Sequence, residues 1–105
     1  MKKTTLLLAA IVSLTSACSW VKVSEEGSSV AVANAANVRD CEKVRTVNVK
    51  VKDNYVGSMK RDPSTIATEL TNLARNEATQ FDGDTIVPVS LVQDGRQSFD
   101  VYKCN

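Results

Sequence analysis

The sequence predicts an α+β domain: a small antiparallel sheet of three to four strands with one helix packed on a face. Three observations predict it. Val47, Val49 and Val51 alternate with Asn48, Lys50 and Lys52, the period-two pattern of a half-buried strand. From Ile66 to Phe81 the apolar residues recur at three- and four-residue spacing, which makes one stripe along a helix. After Gly83, two further strand patterns flank an Asp-Gly turn. The order is strand, helix, strand, strand, with a candidate extra strand in front. An antiparallel sheet with the helix on one face buries every stripe at once.

The chain begins with a segment of another kind. Lys2 and Lys3 form a basic start, an apolar run covers Leu6 to Val12, and small and polar residues lead to Cys18. That is the layout of a secretory signal peptide. The run is too short for a transmembrane helix, which needs about 20 apolar residues. Leu14-Thr15-Ser16-Ala17-Cys18 resembles a bacterial lipobox, with the Leu one position earlier than usual. On that reading residues 1–17 are a cleaved signal peptide and Cys18 carries the lipid. Ser19 follows; by resemblance to lipoprotein sorting rules, a residue other than Asp there favours the outer membrane. Thr15 and Ala17 also suit ordinary signal peptidase, whose cut would release a soluble secreted protein. Residues 18–29 read as the lipidated N-terminus and its tether, polar from Ser24 to Ser29 and flexible in composition. About nine extended residues reach at most roughly 30 Å, so the domain is expected close to the membrane, in the periplasm. Trp20 and Val21 suit either the headgroup layer or a plain linker.

The domain is expected over residues 30–105. Val30 to Ala33 is a candidate edge strand, and Asn34-Ala35-Ala36-Asn37 a turn in which the alanines permit helix. Cys41 to Lys52 is the first main strand. Val44 is out of phase with Val47, so a bulge between them is expected to restore the register. Asp53 to Arg61 is a loop with turn signals at Asp53-Asn54 and Gly57-Ser58. Its large apolar residues, Tyr55 and Met59, either cap the core or form a candidate contact surface. Asp62 is the helix N-cap and Pro63 fits the first turn. Asp82-Gly83 ends the helix, with Gly83 suited to a left-handed cap. The opposite helix face, with Thr68, Glu69, Thr71, Asn72, Arg75, Asn76 and Gln80, reads as solvated. Thr85 to Val92 is the next strand, with Val87, Val89 and Leu91 facing one way. Pro88 argues for an edge or a bulge there. Gln93-Asp94-Gly95-Arg96 is a hairpin loop, and Gln97 to Cys104 the last strand.

Charge and cysteines narrow the function. The chain holds 13 basic and 12 acidic residues and no His. Lys2 and Lys3 leave with the signal, so no basic excess remains to attract nucleic acid. Lys43, Arg45, Lys50 and Lys52 alternate with Val, as a solvated strand face does. With Cys18 lipidated, Cys41 and Cys104 remain as a pair in an oxidising compartment, where a disulfide is the expected state. No metal or cofactor is expected of two cysteines without a His.

The residues also carry a family resemblance. Asp40-Cys41-Glu42 opens the first main strand, and Leu70-Thr71-Asn72-Leu73-Ala74-Arg75-Asn76-Glu77-Ala78 lies in the helix. Gly83-Asp84-Thr85-Ile86-Val87 and a closing Val101-Tyr102-Lys103-Cys104 follow. Over Val30 to Asn105 this resembles a family of small bacterial lipoproteins of unknown function, in turn similar to the RcsF envelope-stress sensor lipoproteins. The resemblance implies an α+β domain with disulfide bonding, an outer-membrane lipid anchor and signalling through protein contacts. The sensor pattern has four domain cysteines and a long proline-rich basic linker, whereas this chain has Cys41 and Cys104 and a short tether.

An envelope lipoprotein of non-enzymatic type, held to the membrane through its lipid and binding an envelope protein or the envelope itself through its domain, is therefore expected. The enzymatic alternative meets a shortage of groups. Ser58, Ser64 and Ser90 have no His to activate them. Asp82 with Asp84, and Asp94 with Asp100, are more simply turn and strand residues than paired carboxylates. The wide spacing of Cys41 and Cys104 favours a staple over a redox motif.

Overall fold

The computed structural model describes residues 21–52 and 61–105. Its strands are β1 (Ala31–Val32), β2 (Glu42–Lys50), β3 (Thr85–Pro88) and β4 (Arg96–Lys103), and its helix is α1 (Pro63–Thr79). They form one α+β unit with the four-stranded sheet order β1-β3-β4-β2. Among the described residues no helix is long and apolar enough to cross a membrane.

The antiparallel expectation holds for three strands. β4 lies antiparallel between β2 and β3. The front strand corrects it: β1 pairs with β3 in parallel, Ala31 opposite Thr85 and Val32 opposite Ile86. The sheet is mixed because β1 and β3 both reach the sheet from the same end. The connection after β1 includes a short 3-10 turn, Ala35–Val38, capped by the Asn34 side chain, which accepts from the amides of Ala36 and Asn37. The alanines thus take the helical alternative.

The core lies between the helix and one sheet face. Val47 and Val49 of β2, Ile86 of β3, and Phe99 and Val101 of β4 meet Ile66, Leu70, Ala74 and Ala78 of α1. Val30 joins them, and Leu73 and Phe81 pack at the margin. This is the predicted helix stripe against the predicted stripes of β2 and β4; in β3 it is Ile86 that joins the core, and of the Val87, Val89 and Leu91 row the last two are exposed. Burying a side chain such as Phe99 or Leu70 contributes about 2–3 kcal/mol. The bulge sits slightly earlier than expected. The β2–β4 register shifts between Lys43 and Arg45, so Val44 is the extra residue.

The helix ends follow local chemistry. Asp62 caps α1 by accepting from the Thr65 amide at 3.2 Å, with Pro63 at the first helical position. At the other end the left-handed residue is Asp82, φ 59°, not Gly83. The Gly83 amide donates to Ala78 at 2.9 Å and the Asp82 amide to Thr79 at 3.4 Å, the two bonds of a Schellman cap. Asp tolerates the left-handed region. Gly83 is needed for another reason: a Cβ there would overlap Val101 Cγ1.

β3 is shorter than expected and stops at Pro88. β1 has already run out there, its last bond being Ala33 N–H to the Ile86 carbonyl at 2.9 Å. Pro88, with no N–H to offer the Ala33 carbonyl, cannot continue that ladder, and β3 stops here as the sequence signal of an edge or a bulge suggests. The hairpin turn carries Asp94 at φ 54° and Gly95 at φ 71°, the paired positive angles of a type I′ turn.

Candidate functional site

Among the described residues, polar and exposed side chains gather in four places outside the apolar core. The first is at the far end of the long hairpin. Glu42 opposes Lys103 at the end of the β2–β4 ladder, so Cys41 and Cys104 are carried to adjacent positions. They form a disulfide with the Cα atoms 4.5 Å apart. Beside it Asp84 accepts from the Cys104 amide at 2.9 Å, the Asn105 amide at 2.9 Å and the Thr85 hydroxyl at 3.0 Å. Burial pushes its carboxyl up, but these donors outweigh burial and hold it below the ordinary range. The cluster ties the C-terminus to the start of β3.

The second group corrects the solvated-face expectation for α1 and the tether expectation for residues 21–29. The Arg75 guanidinium donates to the carbonyls of Gly27 and Val30 at 3.1 Å and of Ser28 at 2.7 Å. Asn76 accepts from the Ser24 amide at 2.7 Å and donates to the Lys22 carbonyl at 2.9 Å. Asn72 donates to the Val21 carbonyl at 3.3 Å. The polar helix face is a dock for main chain. A segment with few apolar residues gives no burial signal in the sequence, because side-chain amides and a guanidinium hold its backbone instead.

The third is an ion pair. Glu69, also expected in solvent, is buried against the buried Arg61, with Oε2 2.7 Å from Nη2. Arg61 Nη1 donates to the Lys52 carbonyl at 2.7 Å. The pair joins the end of β2 to α1. It takes charges whose apolar stems suit burial only when each finds an opposite partner, and no sequence spacing announces that.

The fourth is the outer sheet face, turned away from α1. Thr46 donates to Asp100 at 2.6 Å, and Lys43 lies 3.5 Å from the same carboxylate. Ser98 donates to Asn48 through its hydroxyl and to the Ser90 hydroxyl through its amide. Toward the hairpin end this face becomes apolar. Leu91 is 87% exposed, Val89 50% and Val92 40%. Shallow open concavities flank Leu91, lined by Pro88, Val89, Val92 and Gln97 on one side and by Asn48, Arg96 and Ser98 on the other.

The residues singled out from sequence thus fall into three sets. Cys41 and Cys104 come together. Cys18, Tyr55, Met59 and Ser58 lie outside the described residues. The remaining hydroxyl and carboxylate candidates occupy structural positions: Ser64 bonds the Asp62 cap, Asp82 and Asp94 hold turns, and Asp100 is taken by Thr46 and Lys43. Among the described residues, no three His, Cys, Asp or Glu side chains gather as metal ligands would. Alternation in the sequence shows which residues share a face, not where the neighbouring strand stops, so it does not announce the exposed tip at Leu91.

Comparison with known families finds a match over residues 21–104 to a family described as a domain of unknown function, DUF4156. No curated protein and no solved structure matches the chain.

Proposed function

On the premise that this chain belongs to the DUF4156 family of domains of unknown function, we propose that it is a non-enzymatic lipoprotein of the bacterial envelope. Cys18 carries the lipid, the anchor lies in the outer membrane, and the domain works in the periplasm through contacts with an envelope protein, as a binding or stress-sensing module.

The observation that carries this reading is the Cys41–Cys104 disulfide. A bond between cysteines 63 positions apart belongs to an oxidising compartment, and the signal-like segment before Cys18 supplies the route there. Cys18 is then the cysteine left over, placed where a lipobox needs its acceptor. Two or more acyl chains hold a protein firmly, at about 0.8 kcal/mol per buried CH₂.

Intact-protein mass spectrometry on detergent-extracted membranes tests the proposal. The expected species is residues 18–105 with three acyl chains, gaining about 2 Da on reduction as one disulfide takes up two hydrogens. An unlipidated species in the soluble fraction would transfer the reading to a secreted periplasmic binding protein.

A further inference from the structure

The exposed tip of the outer sheet face has a charge bias as well as an apolar one. Lys50 opposes Arg96 across the β2–β4 ladder, and both are exposed, as is Lys52 two residues on. Asp94, in the turn itself, is the acidic residue of the hairpin loop. Arg96 shares a concavity with Leu91, and Lys50, opposite Arg96, and Lys52 stand at the same end of the sheet. Apolar side chains flanked by cations suit the boundary of an anionic bilayer, where the first enter the headgroup layer and the second meet phosphates.

The path of the chain points the same way. Asn76 holds Lys22 and Ser24, and Asn72, one turn earlier on α1, holds Val21. Going upstream, the chain thus heads toward the N-terminus of α1. That helix end lies at the hairpin end of the sheet. Arg61, just before α1, binds the Lys52 carbonyl, and the Val51 amide donates to Gly95 in the hairpin turn at 2.8 Å. Cys18 is three residues before Val21, at most about 10 Å of chain. A lipid on Cys18 brings this end of the domain, rather than the disulfide end, to the bilayer.

We infer that the hairpin end, through Leu91, Val89, Val92, Lys50, Lys52 and Arg96, is a second membrane contact that seats the domain on an anionic phospholipid surface. The orientation part of this inference rests on the lipoprotein reading; the recognition chemistry of the tip does not. Such a seat fixes which way the domain faces, and leaves the Cys41–Cys104 end pointing away from the membrane.

The test is hydrogen exchange on the mature full chain, purified from membranes and mixed with phosphatidylcholine vesicles with or without phosphatidylglycerol. Amides over residues 89–97 are expected to exchange about tenfold more slowly with the anionic vesicles. Leu91→Asp is expected to abolish that protection without lowering the thermal midpoint, because Leu91 is exposed. Lys50→Glu with Arg96→Glu is expected to remove the difference between the two vesicle types. Equal exchange with both types, or protection that survives Leu91→Asp, overturns the inference. So does a photocrosslinker at position 91 that captures protein and no phospholipid in intact cells. The intact mass separates the two readings. A lipidated chain without tip protection defeats the seat and keeps the anchor. An unlipidated chain that still gains protection keeps the seat and defeats the anchor.

Discussion

Asp84 concentrates more of the structure's logic than its place in a Gly-Asp-Thr turn sequence suggests. One carboxylate accepts two main-chain amides from the last two residues and a hydroxyl from its neighbour. Its folded pKa lies below the ordinary 3.8. The sign follows from linkage: the ionised form is favoured by folding, so its contribution is full above the ordinary value and is lost as pH falls through it toward the lower folded value. Stability is therefore expected to be flat above about pH 5 and to decline below about pH 4. In Asp84→Asn that decline is expected to be shallower, measured by urea titrations at stepped pH. Asp62 is lowered in the same direction by the Ser64 hydroxyl and the Thr65 amide, so some decline remains in the variant. Glu69 and Arg61 show the opposite economy, two charges withdrawn from water to join two elements, which is stable only while both are present.

At the level of elements, the amphipathic helix has two working faces rather than one. Its apolar stripe makes the core, and its polar face holds residues 21–30 through Arg75, Asn72 and Asn76. A hydrogen bond from a charged donor contributes about 1.5–3 kcal/mol, and Arg75 makes three. Arg75→Ala is therefore expected to release the front segment selectively. The Ser24 and Ala31 amides, bonded to Asn76 and to the Asp84 carbonyl, should gain hydrogen exchange by tenfold or more, while β4 amides stay protected. Uniform loss of protection across the domain would show instead that the segment and the core open together. The Arg45 guanidinium over the Phe81 ring, 4.2 Å from its centroid, closes the other margin of the core and adds about 0.5–1 kcal/mol.

Across the whole molecule, the sheet and the disulfide do complementary work. β4 sits between β2 and β3, so strands distant in sequence meet through it. The disulfide then joins the two residues just beyond the outermost pair of the β2–β4 ladder. Closing a loop of 63 positions stabilises a small domain by about 4 kcal/mol in the chain-entropy model. That is a large part of the total for a domain with so thin a core. Reduction, or Cys41→Ala with Cys104→Ala, is expected to lower the unfolding free energy from urea titration by about that amount and to move the midpoint down with it; a midpoint unchanged by reduction would show that the ladder alone holds the ends.

What the amino-acid sequence determined by itself was whatever rests on local chemistry and periodicity. Val47 and Val49, Ile66 to Ala78, and Phe99 and Val101 were legible as core faces because alternation and helical spacing select a face directly. Asp62, Pro63 and Asp94-Gly95 were legible because caps and tight turns demand those residue types. Cys41 and Cys104 were legible as a pair because the signal-like N-terminus leads to the expectation of an oxidising compartment and the cysteine count left few alternatives. What only the tertiary structure decided was which polar groups meet across distance. Arg75 and Asn76 look like solvent residues until a main chain lies against them, and Glu69 until Arg61 arrives. Gly83 looks like a left-handed cap until Val101 crosses its Cα. The parallel β1 and the bare tip at Leu91 depend on where one strand ends beside another. Hydrophobic burial leaves a periodic trace along the chain, whereas hydrogen bonds and ion pairs between remote segments are fixed by geometry and leave none.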